Sequence, residues 1–109
     1  MTAPSRRRRI EAMLVDDPRD TFLRYSLAME LAKEGDHDRS LEQYGGLMND
    51  DPPYVPAFFM AAQQFAQLGR VGEARTVLRD GIEQAHRKGD AHAAGEMSEF
   101  LASLGNLAE

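Results

Sequence analysis

The chain has 109 residues, 42% of them hydrophobic and 28% charged, with a formal net charge of −5 and no cysteine. This composition is typical of one compact soluble domain, and without cysteine it forms neither a disulfide nor a thiolate zinc site. The acidic balance argues against non-specific binding to nucleic acid, which needs a basic face. We expect residues 1–4 to be disordered and residues 5–109 to form the single domain.

A run of four arginines, Arg6 to Arg9, opens the first predicted helix, which covers residues 5–15. Such a run can bind nucleic acid or a membrane surface. No aromatic residue is interleaved with it, so a solvated helix start is favoured, or contact with an acidic partner. The apolar stretch that follows is too short for a signal peptide, and no segment approaches the roughly 20 apolar residues of a membrane span. A cytoplasmic location is the default expectation.

The next two helices are predicted over residues 18–34 and 37–49, because apolar residues recur there at helical spacing. Asp17 followed by Pro18 is a typical helix start. Gly35 can adopt the left-handed backbone that ends a helix. The second of these helices contains Gly45 and Gly46. Each glycine costs about 1 kcal/mol of helix stability relative to Ala. Close packing explains them better than contact with a ligand.

Three further helices are predicted over residues 55–68, 71–87 and 90–104. Gly69 repeats the turn found at Gly35, and Gly89 breaks the chain before the last helix. No run shows the alternation of a half-buried strand.

The chain matches itself 34 residues along. Asp16, Asp17 and Pro18 recur as Asp50, Asp51 and Pro52. A fixed period of this length indicates stacked two-helix units, which cannot bury their apolar stripes alone. The repeat units cover about residues 17–50 and 51–86, with half a unit at each end.

This arrangement resembles the tetratricopeptide repeat, a family with the same period. Each repeat of that family has a first helix, A, and a second helix, B. Helix A contains a small residue with a large apolar residue three positions later, and a Gly-Asp-like turn follows. Helix B contains a small residue with an aromatic residue four positions later, and a Pro closes the repeat. In the first unit these positions hold Ala28, Leu31, Gly35, Asp36, Ser40, Tyr44 and Pro52. In the second unit they hold Ala62, Phe65, Gly69, Arg70, Ala74 and Leu78, and Phe58 lies where the family prefers a large aromatic.

Three positions depart from that pattern. Arg24 replaces an aromatic residue, Gly81 takes a place usually held by Ala, and His86 stands where the closing Pro would be. The resemblance implies an all-α fold, a right-handed α-solenoid of antiparallel helix pairs. It would contain two units and flanking half-repeat helices, with the last helix, residues 90–104, capping the stack.

The resemblance also implies a binding surface, because the A helices of such a stack line its concave face. Side chains there that packing does not require are available to a partner. By position these are Phe22, Tyr25, Ser26, Met29 and Lys33 in the first unit, Phe59, Met60, Gln63 and Gln67 in the second, and His92, Gly95, Glu96 and Glu99 in the last helix. Much of this strip is apolar, which favours an extended or helical peptide with apolar side chains. Alternatively, flanking helices or a second copy of the chain cover part of the strip.

Other kinds of site have weaker support. Some tetratricopeptide modules clamp a terminal carboxylate with cationic A-helix residues, but Tyr25, Met29 and Met60 hold the matching positions, so we expect no clamp. His92 and Glu96 have a spacing that can bind a metal, yet no second histidine is in register. No nucleophile elbow or phosphate loop suggests catalysis. We expect neither enzyme activity nor a cofactor.

We therefore predict an adaptor that binds a protein or peptide segment in its concave groove. The alternative is a self-association module, a homodimer that buries the same apolar strip, because about three units are usually required for a stable stack. Neither nucleic acid nor a membrane is an expected partner.

Overall fold

The computed structural model of the protein describes residues 5–105 and contains six α-helices there. They are α1 (Arg6–Asp16), α2 (Thr21–Lys33), α3 (His37–Met48), α4 (Val55–Gln67), α5 (Val71–Lys88) and α6 (Ala91–Leu104). No strand occurs between residues 5 and 105. The all-α prediction is confirmed, and each helix begins and ends within three residues of its expected bounds.

The chain divides into two compact units, the first ending at Asp50 and the second beginning at Asp51. In the first unit α2 packs against both α1 and α3. In the second, α5 packs against both α4 and α6, and α4 also contacts α6. That residues 5–109 form a single domain stays a prediction, and the expected disorder of residues 1–4 falls outside the described residues.

The start of α2 differs from the prediction. Pro18 lies in a turn that is closed by a hydrogen bond from the Asp20 N–H to the Asp17 carbonyl, at 3.2 Å. Asp20 is the N-cap, and its carboxylate accepts a hydrogen bond from the Leu23 N–H at 2.8 Å. A helix start at Asp17 and Pro18 is therefore wrong. Proline fits the second position of a turn as well as the first turn of a helix, so the sequence pattern was ambiguous.

Apolar side chains from all three helices are buried in the first unit. Ile10 of α1 packs with Leu27 and Leu31 of α2. Tyr44 of α3 is 1% exposed, and its ring lies edge-on to that of Tyr25, with centroids 5.9 Å apart. Burial raises the pKa of the Tyr44 hydroxyl. The periodic stripes seen in the sequence therefore form the interior of this unit.

Two small residues lie where α2 and α3 meet. Ala28 and Ser40 are both fully buried, and the Ser40 hydroxyl donates to the Ala28 carbonyl at 2.6 Å. A larger side chain at either position would separate the helices, which accounts for the small residues of the repeat pattern.

Arg24, which replaces the family's aromatic residue, binds Asp50 at the end of the first unit. Its Nη1 donates to Asp50 Oδ2 at 2.6 Å, and this hydrogen bond lowers the pKa of the carboxyl. A Cβ added at Gly46 would lie 3.2 Å from Arg24 Nη2, whereas one at Gly45 would meet no atom within 4 Å. Close helix packing is therefore wrong as the explanation for Gly45, and at Gly46 the one neighbour is the end of a flexible arginine side chain.

The arginine run of α1 takes part in ion pairs within the first unit. Arg6 lies 2.9 Å from Glu30 of α2. Arg7 binds Glu34 at 2.9 Å and Glu11 at 2.7 Å. These contacts connect α1 to α2, so the run is more than the solvated helix start that its composition favoured.

Three helices of the second unit meet at Gly81 of α5. A Cβ added there would lie 2.6 Å from Met97 Sδ of α6 and 2.6 Å from Phe58 Cβ of α4. Only bare backbone fits between them. The departure from the usual Ala therefore has a steric cause, since Phe58 itself is 4% exposed and closely packed.

A side chain of α5 holds the C-terminal end of α6. Arg75 Nη2 donates to the Leu104 carbonyl at 2.7 Å. The last carbonyls of a helix have no partner within it, so this bond satisfies one of them. It also holds Leu104, which is 3% exposed, in a defined position.

Candidate functional site

An open cleft of about 490 Å³ lies between α4 and α6 in the second unit. Each of the two helices contributes three lining residues, the second and third of which follow the first by three and four positions. Residues with this spacing lie on one face of a helix. The lining residues are Gln63, Ala66 and Gln67 from α4, and Phe100, Ser103 and Leu104 from α6. We call this the α4–α6 cleft.

The lining of the α4–α6 cleft combines an apolar surface with uncharged polar groups. Ala66, Phe100 and Leu104 supply the apolar part, while Gln63 and Gln67 present side-chain amides. The Ser103 hydroxyl donates to the Phe100 carbonyl at 2.7 Å, so its hydrogen is already used within α6. None of the six lining residues carries a formal charge. This chemistry suits a small apolar group flanked by amides.

The predicted binding residues of the second unit fall into three environments. Gln63 and Gln67 line the cleft, as an exposed A-helix face would require. Phe59 is half-buried against Phe100, with ring centroids 5.8 Å apart, so the flanking helix covers part of it, and Met60 is also half-buried. The predicted residues of α6 are exposed; they are His92, Glu96 and Glu99. His92 Nε2 lies 2.9 Å from Glu96 Oε1.

The predicted binding residues of the first unit are less uniform. Phe22 is 69% exposed. Lys33 is also exposed and lies 3.4 Å from Glu30. Tyr25 and Met29 are half-buried. Ser26 is only 3% exposed, and its hydroxyl has no hydrogen-bond partner among residues 5–105.

Four cleft residues had no place among the predicted binding residues: Ala66, Phe100, Ser103 and Leu104. The sequence held a signal for one of them, because Leu104 and Gly105 follow Leu68 and Gly69 by 36 residues. The same offset carries Gln67 to Ser103. Applied to the predicted α4 residues, this offset adds Ser103 but neither Phe100 nor Leu104.

Between residues 5 and 105, no group of three or more His, Asp or Glu side chains is arranged to hold a metal ion. Over the same range no helix combines the length and apolar character needed to cross a membrane.

Comparison with known proteins gives consistent similarities, although no family model matches the chain. A TPR repeat-containing protein of Pseudomonas aeruginosa is 27% identical over 95 residues, which cover 87% of this chain and 90% of that protein. The solution structure of a tetratricopeptide repeat domain protein from Salinibacter ruber matches with a TM-score of 0.78 and 28% identity, covering 84% of this chain and 93% of the other.

A protein from Bordetella parapertussis, also solved in solution, matches with a TM-score of 0.79 and 25% identity. That match covers 94% of this chain and 90% of the other. Together with the period of 34 residues and the paired helices, these similarities confirm the helical repeat fold. The chain is similar to small tetratricopeptide repeat domains in fold, repeat period and sequence.

Proposed function

We propose that this domain is a non-enzymatic interaction module that binds an extended protein segment in the α4–α6 cleft. Similarity to tetratricopeptide repeat proteins supports a protein-interaction role in general. The cleft itself is the observation that supports this binding location, because it has an apolar lining and two amide side chains at one wall. Protein segments have both an amide backbone and apolar side chains, so they match this lining.

The spacing of the two glutamines fits an extended backbone. Gln63 and Gln67 are four residues apart on α4, which corresponds to about 6 Å along a helix. In an extended segment, residues on the same side repeat every 6.6 to 6.8 Å or so. Each glutamine amide can both donate and accept a hydrogen bond. The pair can therefore contact two backbone groups on one edge of the bound segment.

The apolar part of the cleft would receive one side chain of that segment. Ala66 leaves room on the α4 side, and Phe100 and Leu104 form the opposite wall. Leu104 is held through its carbonyl by Arg75, so this wall is pre-positioned. A fixed receptor surface lowers the entropic cost of binding. An aliphatic side chain such as leucine would serve as the anchor.

Ala66→Leu tests this proposal because it fills the cleft without adding charge. We expect affinity for short blocked peptides with one leucine in a Gly/Ser background to fall at least about tenfold, or about 1.4 kcal/mol. Amide shifts in nuclear magnetic resonance titrations would give the affinity and the contact site. For the wild type the shifts should centre on Gln63, Gln67 and Phe100.

Ala102→Leu is the matched control, since Ala102 is exposed on α6 and does not line the cleft. It makes the same chemical change elsewhere and should leave affinity unchanged. Shifts confined to α5, or equal affinities for the Ala66→Leu and Ala102→Leu variants, would contradict the proposal.

Self-association is the second candidate, and exposed apolar side chains in the first unit favour it. Met13 is 48%, Phe22 69% and Val15 81% exposed. Large apolar side chains at a surface often mark contact sites. This candidate predicts a dimer in sedimentation at rising concentration, weakened by Phe22→Ser but not by Leu68→Ser, whose side chain is 39% exposed in the second unit. A monomer throughout the concentration range would eliminate it.

A further inference from the structure

Negative charge borders the α4–α6 cleft on one side only. Between Val55 and Gln67, α4 contains no charged residue at all. α6 contains no lysine or arginine, and its two carboxylates, Glu96 and Glu99, are both exposed. Neither helix contains a lysine or arginine that offsets these carboxylates. Arg75 of α5 binds the Leu104 carbonyl, five residues beyond Glu99, so the negative charge is confined to the α6 surface around Glu96 and Glu99.

Glu99 lies immediately beside the cleft. It precedes Phe100 in the chain and stands four residues before Ser103, a spacing that puts Glu99 and Ser103 on the same face of α6. Its Cα is therefore about one helical turn, or about 6 Å along the axis, from that of the cleft-lining Ser103. A group bound in the cleft would lie within reach of the Glu99 carboxylate.

Glu99 has no partner among residues 5–105, unlike three other glutamates of the second unit. Glu73 lies 2.7 Å from Arg70, and Glu83 lies 2.7 Å from Arg87. Glu96 is occupied by His92 at 2.9 Å. Among the described residues, no hydrogen bond or ion pair involves the Glu99 carboxylate. It is the acidic group by the cleft that a bound partner could pair with directly.

We infer that the segment bound in the α4–α6 cleft carries a lysine or arginine one or two residues from its apolar anchor. This inference rests on the proposed function. An extended chain advances about 3.3 Å per residue, so one or two residues span the separation between the cleft and Glu99. The apolar side chain fills the cleft, and the cation pairs with the Glu99 carboxylate. The net charge of −5 on the whole chain acts in the same direction.

Three blocked peptides test the inference. Each has one leucine in a Gly/Ser background, and they differ only at the position two residues from that leucine. That position carries lysine, glutamine or glutamate, so glutamine matches lysine in length without its charge. At low salt we expect the lysine peptide to bind about two- to fivefold more tightly than the glutamine peptide, as suits an exposed ion pair. The glutamate peptide should bind most weakly, and about 1 M salt should remove the differences.

Glu99→Gln should abolish the preference for lysine over glutamine while retaining leucine-dependent binding. Asp80→Asn is the control, because Asp80 is exposed on α5, which does not line the cleft, and the change in net charge is the same. It should leave the preference intact. Equal binding of the lysine and glutamine peptides to the wild type, or equal effects of the two substitutions, would overturn the inference.

The same titrations separate this inference from the function on which it rests. Shifts at Gln63 and Phe100 that require leucine but ignore the neighbouring charge would overturn only the cation requirement. If no peptide shifts the cleft amides, binding in the cleft is itself wrong and the inference fails with it.

Discussion

Gly81→Ala is expected to destabilise the second unit by about 1 to 3 kcal/mol, the usual cost of overpacking. Helix propensity alone predicts the opposite, because Ala is favoured over Gly by about 1 kcal/mol within a helix. Steric conflict decides the sign. The added methyl group would lie 2.6 Å from both Met97 Sδ and Phe58 Cβ. The methionine sulfur can move aside, but Phe58 Cβ is bonded to the backbone of α4 and cannot. Urea denaturation would measure the loss.

Gly45→Ala provides the matched comparison for Gly81→Ala. The substitution is chemically identical and also lies within a helix, but a Cβ at Gly45 meets no atom within 4 Å. We expect it to stabilise the first unit by up to about 1 kcal/mol. Amide hydrogen exchange would assign each change to its own helices. Equal or greater stability of the Gly81→Ala protein would show that the contact around Gly81 relaxes without cost.

Tyr44→Ala is expected to cost about 3 to 5 kcal/mol in the first unit, the range for removing a large buried aromatic side chain. Tyr44 is 1% exposed, and its ring packs edge-on to Tyr25 at a centroid distance of 5.9 Å. Truncation removes both the buried area and this aromatic contact, and leaves a cavity between α2 and α3. Since domains of this size have about 5 to 15 kcal/mol of stability in total, the loss should be visible as unfolding at moderate urea concentrations.

Tyr44→Phe is the control for Tyr44→Ala, because it retains the ring and removes only the hydroxyl. We expect a change smaller than about 1.5 kcal/mol. Chemical denaturation of both variants, with hydrogen exchange of α2 and α3 amides, would give the comparison. If the two variants lost the same stability, the hydroxyl rather than the packing of the ring would be the important group.

The sequence predicted the helices well because local and repeated signals agreed. The glycine turns at Gly35 and Gly69 both have positive φ, at 83° and 78°, as a left-handed helix end requires. The predicted start of α2 was wrong because Pro18 is compatible with two local structures. The hydrogen bonds that close the turn at Asp17 and cap the helix at Asp20 distinguish them.

Features that depend on contacts between distant residues were harder to predict. The sequence identified Gly81 as a departure from the family pattern, but its cause involves Phe58 and Met97, on two other helices. Likewise, helix periodicity indicated Gln63 and Gln67 as surface residues. It could not show that Phe100 and Leu104 would face them across a cleft. A periodic pattern describes one helix face at a time, whereas a cleft requires the relative placement of two.

The hydrogen bond from Arg75 to the Leu104 carbonyl couples the cleft to a helix that does not line it. Leu104 can shift outward only if that bond breaks or Arg75 moves with it. In the proposed binding mode, variation along α5 would therefore change which segment the cleft prefers without changing any residue that lines it. In a domain with so few repeats, selectivity could diverge between relatives through this supporting helix.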